Sequence, residues 1–150
     1  MKWYPRLEDL LIIGEQVLGV PVEDLIKVID IALADSALAS PAASFGGHEF
    51  YPDPIVKAAV LGSHLTKNHA MPDGNKRLAY VSMTVFLQVD GHAWTEPDPA
   101  DVDVMIRTVT AGNLDDDVMM GEFAAWIRKH ATRSTPPHPP SAGRSPVPAP

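Results

Sequence analysis

Apolar residues recur at helical spacing from the start of the chain. Leu7, Leu10, Leu11, Val17 and Leu18 share one face, and Gly19 with Pro21 closes the run. A second helical stretch is expected from about Val22 to Ser40, broken near Asp30 and stopped before Pro41. Asp53-Pro54 then supplies an N-cap and a proline at the first helical position, for a helix to about Asn68. The next helix opens near Asn75 and is closed by Gly91. Its apolar stripe is Leu78, Val81, Val85, Phe86 and Val89, nearly surrounded by Tyr80, Met83 and Leu87, so it is expected to be central and buried. Asp98-Pro99 starts another helix to about Asn113. The last follows Asp115-Asp116-Asp117 and ends in Arg128, Lys129 and His130, with both signs placed as the helix macrodipole favours.

The periodicity changes at Ser44-Phe45-Gly46-Gly47-His48-Glu49-Phe50-Tyr51-Pro52. Aromatics around a Gly-Gly pair predict a small hairpin or flap. The fold class expected is therefore all-α, a bundle of about six helices with one β-hairpin. Seven of the 15 prolines lie beyond Ala131. One domain over residues 1–131 and a disordered, Pro-rich tail over 132–150 are expected.

Composition removes several function classes. A chain of 150 residues, 45% of them hydrophobic, suits one domain with a real core. Cysteine is absent, which excludes a disulfide scaffold and thiolate zinc sites. All 19 acidic residues precede Thr132 and the net charge is −7, the wrong sign for a face that binds nucleic acid directly. No apolar run reaches membrane-spanning length, and Glu8 and Asp9 interrupt the N-terminus before Leu10. A cytoplasmic protein without a membrane partner is expected.

Candidate chemistry concentrates in His69-Ala70-Met71-Pro72-Asp73-Gly74-Asn75-Lys76-Arg77, between two helical patterns. Gly74 permits a positive φ and a close approach to the backbone. Asn75, Lys76 and Arg77 occupy a first helical turn, where free N–H groups and the dipole already favour an anion. Two cations there oppose the dipole unless something negative binds, which points to a phosphate site. The same residues also read as an ordinary turn and N-cap with a solvated Lys-Arg pair, and residue type alone leaves both readings open. His48-Glu49 lacks the second histidine of HExxH, and neither GxxxxGK[ST] nor GxSxG occurs.

The segment resembles the signature of the Fic/Doc superfamily in its Doc (death-on-curing) form, His-x-Phe-x-Asp/Asn-Gly/Ala-Asn-Lys-Arg. Every position fits but Met71, which stands where the family has Phe. Asp35 to Pro41, Phe45-Gly46-Gly47, Tyr51-Pro52 with Lys57-Ala58-Ala59, and Phe86-Leu87 with Asp90-Gly91 extend the resemblance over roughly residues 5–130.

The resemblance implies a toxin kinase that transfers the terminal phosphate of ATP to a threonine of elongation factor Tu, arresting translation. His69 would be the general base, with Asp73 and Arg77 completing the catalytic set. Asp73 would hold Mg2+, and Gly74, Asn75, Lys76 and Arg77 would bind the phosphates. Phe45, Gly46, Gly47, His48, Glu49, Phe50 and Tyr51 would form the flap that docks the target; on residues alone that segment is a plain surface hairpin. Lys76 stands where AMP-transferring Fic proteins have Gly, which favours phosphate transfer. An AMP-transferase and a catalytically silent module of the same fold are the alternatives. No Ser/Thr-x-x-x-Glu-Gly/Asn inhibitory motif is found, which implies inhibition in trans by a Phd-like antitoxin.

Overall fold

The computed structural model describes residues 2–134. Its elements in order are α1 (Leu7–Leu18), α2 (Val22–Val28), α3 (Ile31–Ala39), a short 3-10 turn (Ser40–Ala42), β1 (Ser44–Phe45), β2 (His48–Glu49), α4 (Pro54–Asn68), α5 (Asn75–Val89), β3 (His92–Trp94), α6 (Pro99–Ala111), α7 (Asp117–His130) and β4 (Ala131–Arg133). The all-α class and the hairpin are as expected, with seven helices rather than about six because the break near Asp30 is complete.

Local chemistry sets most boundaries. Gly19 closes α1 in the left-handed region at φ 69°. The Asp30 carboxylate accepts from the Leu33 N–H at 3.0 Å and so caps α3. Asp53 caps α4 through the Ile55 N–H at 2.9 Å, with Pro54 at the first helical position. Asp116 caps α7 by accepting from Val118 and Met119. Gly46 and Gly47 both have positive φ, 58° and 80°, the requirement of a two-residue hairpin turn joining β1 and β2.

The central helix is α4, not α5. Ala58, Ala59, Val60, Leu61 and Ser63 are fully buried, and α4 packs against α3, α5, α6 and α7. Small residues make this possible: a Cβ on Gly62 would stand 3.4 Å from both Met83 Sδ and Phe123 Cε2. On α5 the buried face is Leu78, Ala79, Ser82, Met83, Phe86 and Leu87, while Val89 is 52% exposed. The expected valine stripe lies off that face, because the face is completed by Ala79 and Ser82, which carry little hydrophobic signal.

The boundary of the expected tail also moves. Thr132 and Arg133 form β4, which pairs antiparallel with β3. The remainder of that tail, from residue 135, lies outside the described residues. Among the described residues no helix is long and apolar enough to cross a membrane.

Candidate active site

The site is built on the turn between α4 and α5. α4 ends at Asn68, and His69 takes φ 52°, ψ 47°, the one positive φ outside glycine among the described residues. Such a conformation costs about 1–3 kcal/mol and persists only where neighbours fix it. Here they do. Asn68 Nδ2 donates to the Leu33 carbonyl at 3.2 Å, and the Asp30 N–H donates to the Ala70 carbonyl at 2.7 Å. Ala70 and Met71 then turn into the core. Met71 therefore anchors the loop in the core, with His69 left exposed at the surface.

Pro72 and Asp73 form the exposed crest, and the Asp73 carboxylate accepts from the Gly74 N–H at 2.8 Å. Gly74 is required twice over. Its φ is 83°, and a Cβ there would stand 2.5 Å from Leu18 Cδ2 on α1. Gly74 brings no side chain to cap α5, so the first-turn N–H groups of that helix receive no side-chain cap.

Two expected phosphate ligands are already committed. The Asn75 carboxamide spends both ends on one residue, Nδ2 donating to the Met71 carbonyl at 2.7 Å and Oδ1 accepting from its N–H at 3.0 Å. It is first of all a clamp on the loop. The Arg77 guanidinium donates to the Val17 carbonyl at 2.7 Å, in the last turn of α1. Lys76 is exposed and makes no ion pair among the described residues.

These residues converge on an open groove of about 360 Å3, lined by His69 and the run from Pro72 to Arg77. Thr66 of α4 also contributes, and the sequence reading missed it. It is 1% exposed, and its hydroxyl finds no hydrogen-bond partner among the described residues. Thr66 lies three residues before His69 in the last turn of α4, and that short spacing is the one sequence signal that marks it.

The hairpin does not share this groove. Glu49 of β2 pairs with the buried Lys57 at 2.8 Å and with Lys2 at 2.5 Å, and Lys57 Nζ also donates to the Pro41 carbonyl and sits over the Tyr4 ring. Hydrogen bonds from Lys2 and Lys57 hold the Glu49 carboxyl at about 2. Lys57 and His69 stand at opposite ends of α4, about 18 Å apart by helical rise. Phe45 is 80% exposed and Phe50 59%, so the hairpin presents aromatics to solvent. His92 is buried beside Asp90, and His64 is half-buried on α4 with its pKa lowered by burial against an opposing effect of Asp115.

The model of the Fic/DOC family matches residues 6–87, from α1 through the turn to Leu87 on α5. The chain belongs to the Fic/DOC family. Toxin Doc of Mycolicibacterium smegmatis (strain ATCC 700084 / mc(2)155) is 34% identical over 131 residues, covering 84% of this chain and 95% of that relative. No solved structure matches. Among the described residues no group of three or more His, Asp or Glu forms a ready metal cage. The Fic/DOC turn offers one exposed carboxylate, Asp73, in a groove lined with cations. That suits Mg2+, which binds through one or two carboxylates plus substrate phosphates.

Proposed function

We propose that this Fic/DOC protein is a toxin that transfers the terminal phosphate of ATP to a threonine hydroxyl of elongation factor Tu. A Phd-like antitoxin would hold it in check. One observation carries the reading: an imidazole and an open helix N-terminus flanked by two cations face one groove, with a carboxylate between them.

His69 takes the proton of the incoming hydroxyl on a ring nitrogen, a role typically contributing about 10²–10⁴ in rate. The threonine oxygen forms its bond to the terminal phosphorus as the bridging P–O bond breaks, and ADP leaves with that electron pair. The first-turn N–H groups of α5, with Lys76 and Arg77, hold the phosphate oxygens and offset their charge, the kind of positioning and electrostatics that phosphoryl transfer needs. Asp73 would hold Mg2+ jointly with those oxygens, and the ion would neutralise part of the triphosphate charge.

The hairpin can hold a target segment by strand addition, but only at a distance. A strand paired with β2 needs about five to six residues to cover the separation from Lys57 to His69. The docked residues and the modified threonine are therefore separated within the target.

Expression of wild type beside His69→Ala, with mass analysis of elongation factor Tu, tests the reading. Growth arrest and an added phosphate for wild type alone are expected. Equal behaviour of the two proteins removes it.

A further inference from the structure

A threonine in a helix commonly settles its hydroxyl by donating to the carbonyl three or four residues back. This chain does so repeatedly. Thr84 donates to the Val81 carbonyl at 2.8 Å, Thr108 to that of Val104 at 2.9 Å, and Thr110 to that of Ile106 at 2.8 Å. Thr66 does not. The Gly62 and Ser63 carbonyls stand at the same spacings behind it on α4, yet its hydroxyl finds no partner among the described residues. The exposed Thr108 has water to turn to as well, whereas Thr66 is 1% exposed and its oxygen is closed to solvent. A buried hydroxyl without a partner carries an uncompensated desolvation cost, which a bound acceptor removes.

We infer that the Thr66 hydroxyl is a further ligand of the polyphosphate, donating to one of its oxygens from the α4 side of the groove while Lys76 and Arg77 hold it from α5. The inference rests on the phosphate reading of that groove. Thr66 lines the space together with His69, Asp73, Lys76 and Arg77, where the open N-terminus of α5 favours an anion. Ionised phosphate oxygens accept and do not donate, so an O–H donor complements them, and such a charge-assisted bond is roughly twice as strong as a neutral one. Rotation about χ1 moves the hydroxyl between staggered positions and trades it for a methyl of similar size, so the oxygen can be presented to the groove without repacking α4. Contacts from both helices that flank the turn fix the orientation of the anion as well as its position, and orientation is what aligns the terminal phosphorus with the incoming hydroxyl.

Calorimetric titration of the full chain with inorganic triphosphate and Mg2+, beside the Tm of each ligand-free variant, tests this. Thr66→Val keeps the shape and removes the donor. Its affinity for triphosphate is expected to fall about 10- to 100-fold, the effect of one hydrogen bond to a charged group, with a ligand-free Tm no lower than that of wild type. Thr66→Ser keeps the hydroxyl and is expected to bind within about threefold of wild type. Thr108→Val removes a hydroxyl on α6 that is already bonded within its own helix, and leaves the affinity unchanged. If Thr66→Val binds triphosphate as wild type does, the assignment is overturned while the phosphate groove stands; slower turnover in that variant would then direct the hydroxyl to the His69 ring instead. Equal weakening in Thr66→Val and Thr66→Ser shows that a hydroxyl does not restore binding and also overturns it. A lower ligand-free Tm in Thr66→Val shows the hydroxyl already partnered and removes the ground for the inference. If wild type does not bind triphosphate, the phosphate reading fails and takes the inference with it.

Discussion

The carboxamide of Asn75 closes a ring with the backbone of Met71, donating to its carbonyl and accepting from its N–H. The first residue of α5 thereby fixes the loop that carries His69. Two such bonds, each worth about 0.5–1.5 kcal/mol net, predict that Asn75→Ala destabilises the protein by about 1–3 kcal/mol. Hydrogen exchange at the Met71 amide checks it: protection there should fall further than at core amides of α4.

Gly74 and Leu18 are expected to be coupled. Gly74→Ala meets both an unfavourable φ and the Leu18 side chain, for a loss of about 1–3 kcal/mol. Leu18→Ala in the same chain relieves the contact but not the φ, so the double variant should recover part of the loss. A double-mutant cycle in denaturant measures the coupling. The family pattern admits Ala at this position; in this chain Leu18 stands in its way.

The ion pair under the hairpin makes stability depend on acid. Glu49 is held at about 2 against an ordinary 4.5, so its contribution is complete above about 4.5 and is lost as pH falls through about 2. Asp53 is shifted the same way: burial pushes it up, but the hydrogen bond and charge of Arg128 together with the Ile55 and Val56 N–H groups outweigh burial and lower it. Glu49→Gln should flatten the fall of Tm across that window, while Lys129→Gln, on the last turn of α7, should not.

Thr66 carries a buried hydroxyl with no partner among the described residues. Val has the same shape without the polar group, so Thr66→Val is expected to leave Tm unchanged or raise it by the equivalent of about 1 kcal/mol. A drop of that size would show that the hydroxyl is bonded in solution.

Much of this was legible in the sequence, and what was missed has a common cause. Gly19, Asp30, Asp53-Pro54 and Asp116 set helix ends through bonds within a few residues, and the Gly-Gly pair dictated its own turn. The site stretch announced itself by residue type. Contacts across the chain left no local trace: Arg77 on Val17, 60 residues away, Leu18 against Gly74, and β3 on β4. The buried face of α5 was misread because Ala79 and Ser82 complete it, whereas the valines that draw the eye lie to one side. The bond from Asn75 to Met71 also leaves no local trace, because it accompanies the left-handed turn at His69, which no neighbouring residue type dictates.

On the proposed function the groove delivers the terminal phosphorus of ATP. Purified elongation factor Tu is incubated with the protein and Mg2+, using ATP labelled in parallel at its terminal or its α-phosphate. Label from the terminal position alone, abolished by His69→Ala, is the predicted result. Label from the α-phosphate, or no label from either, would contradict it.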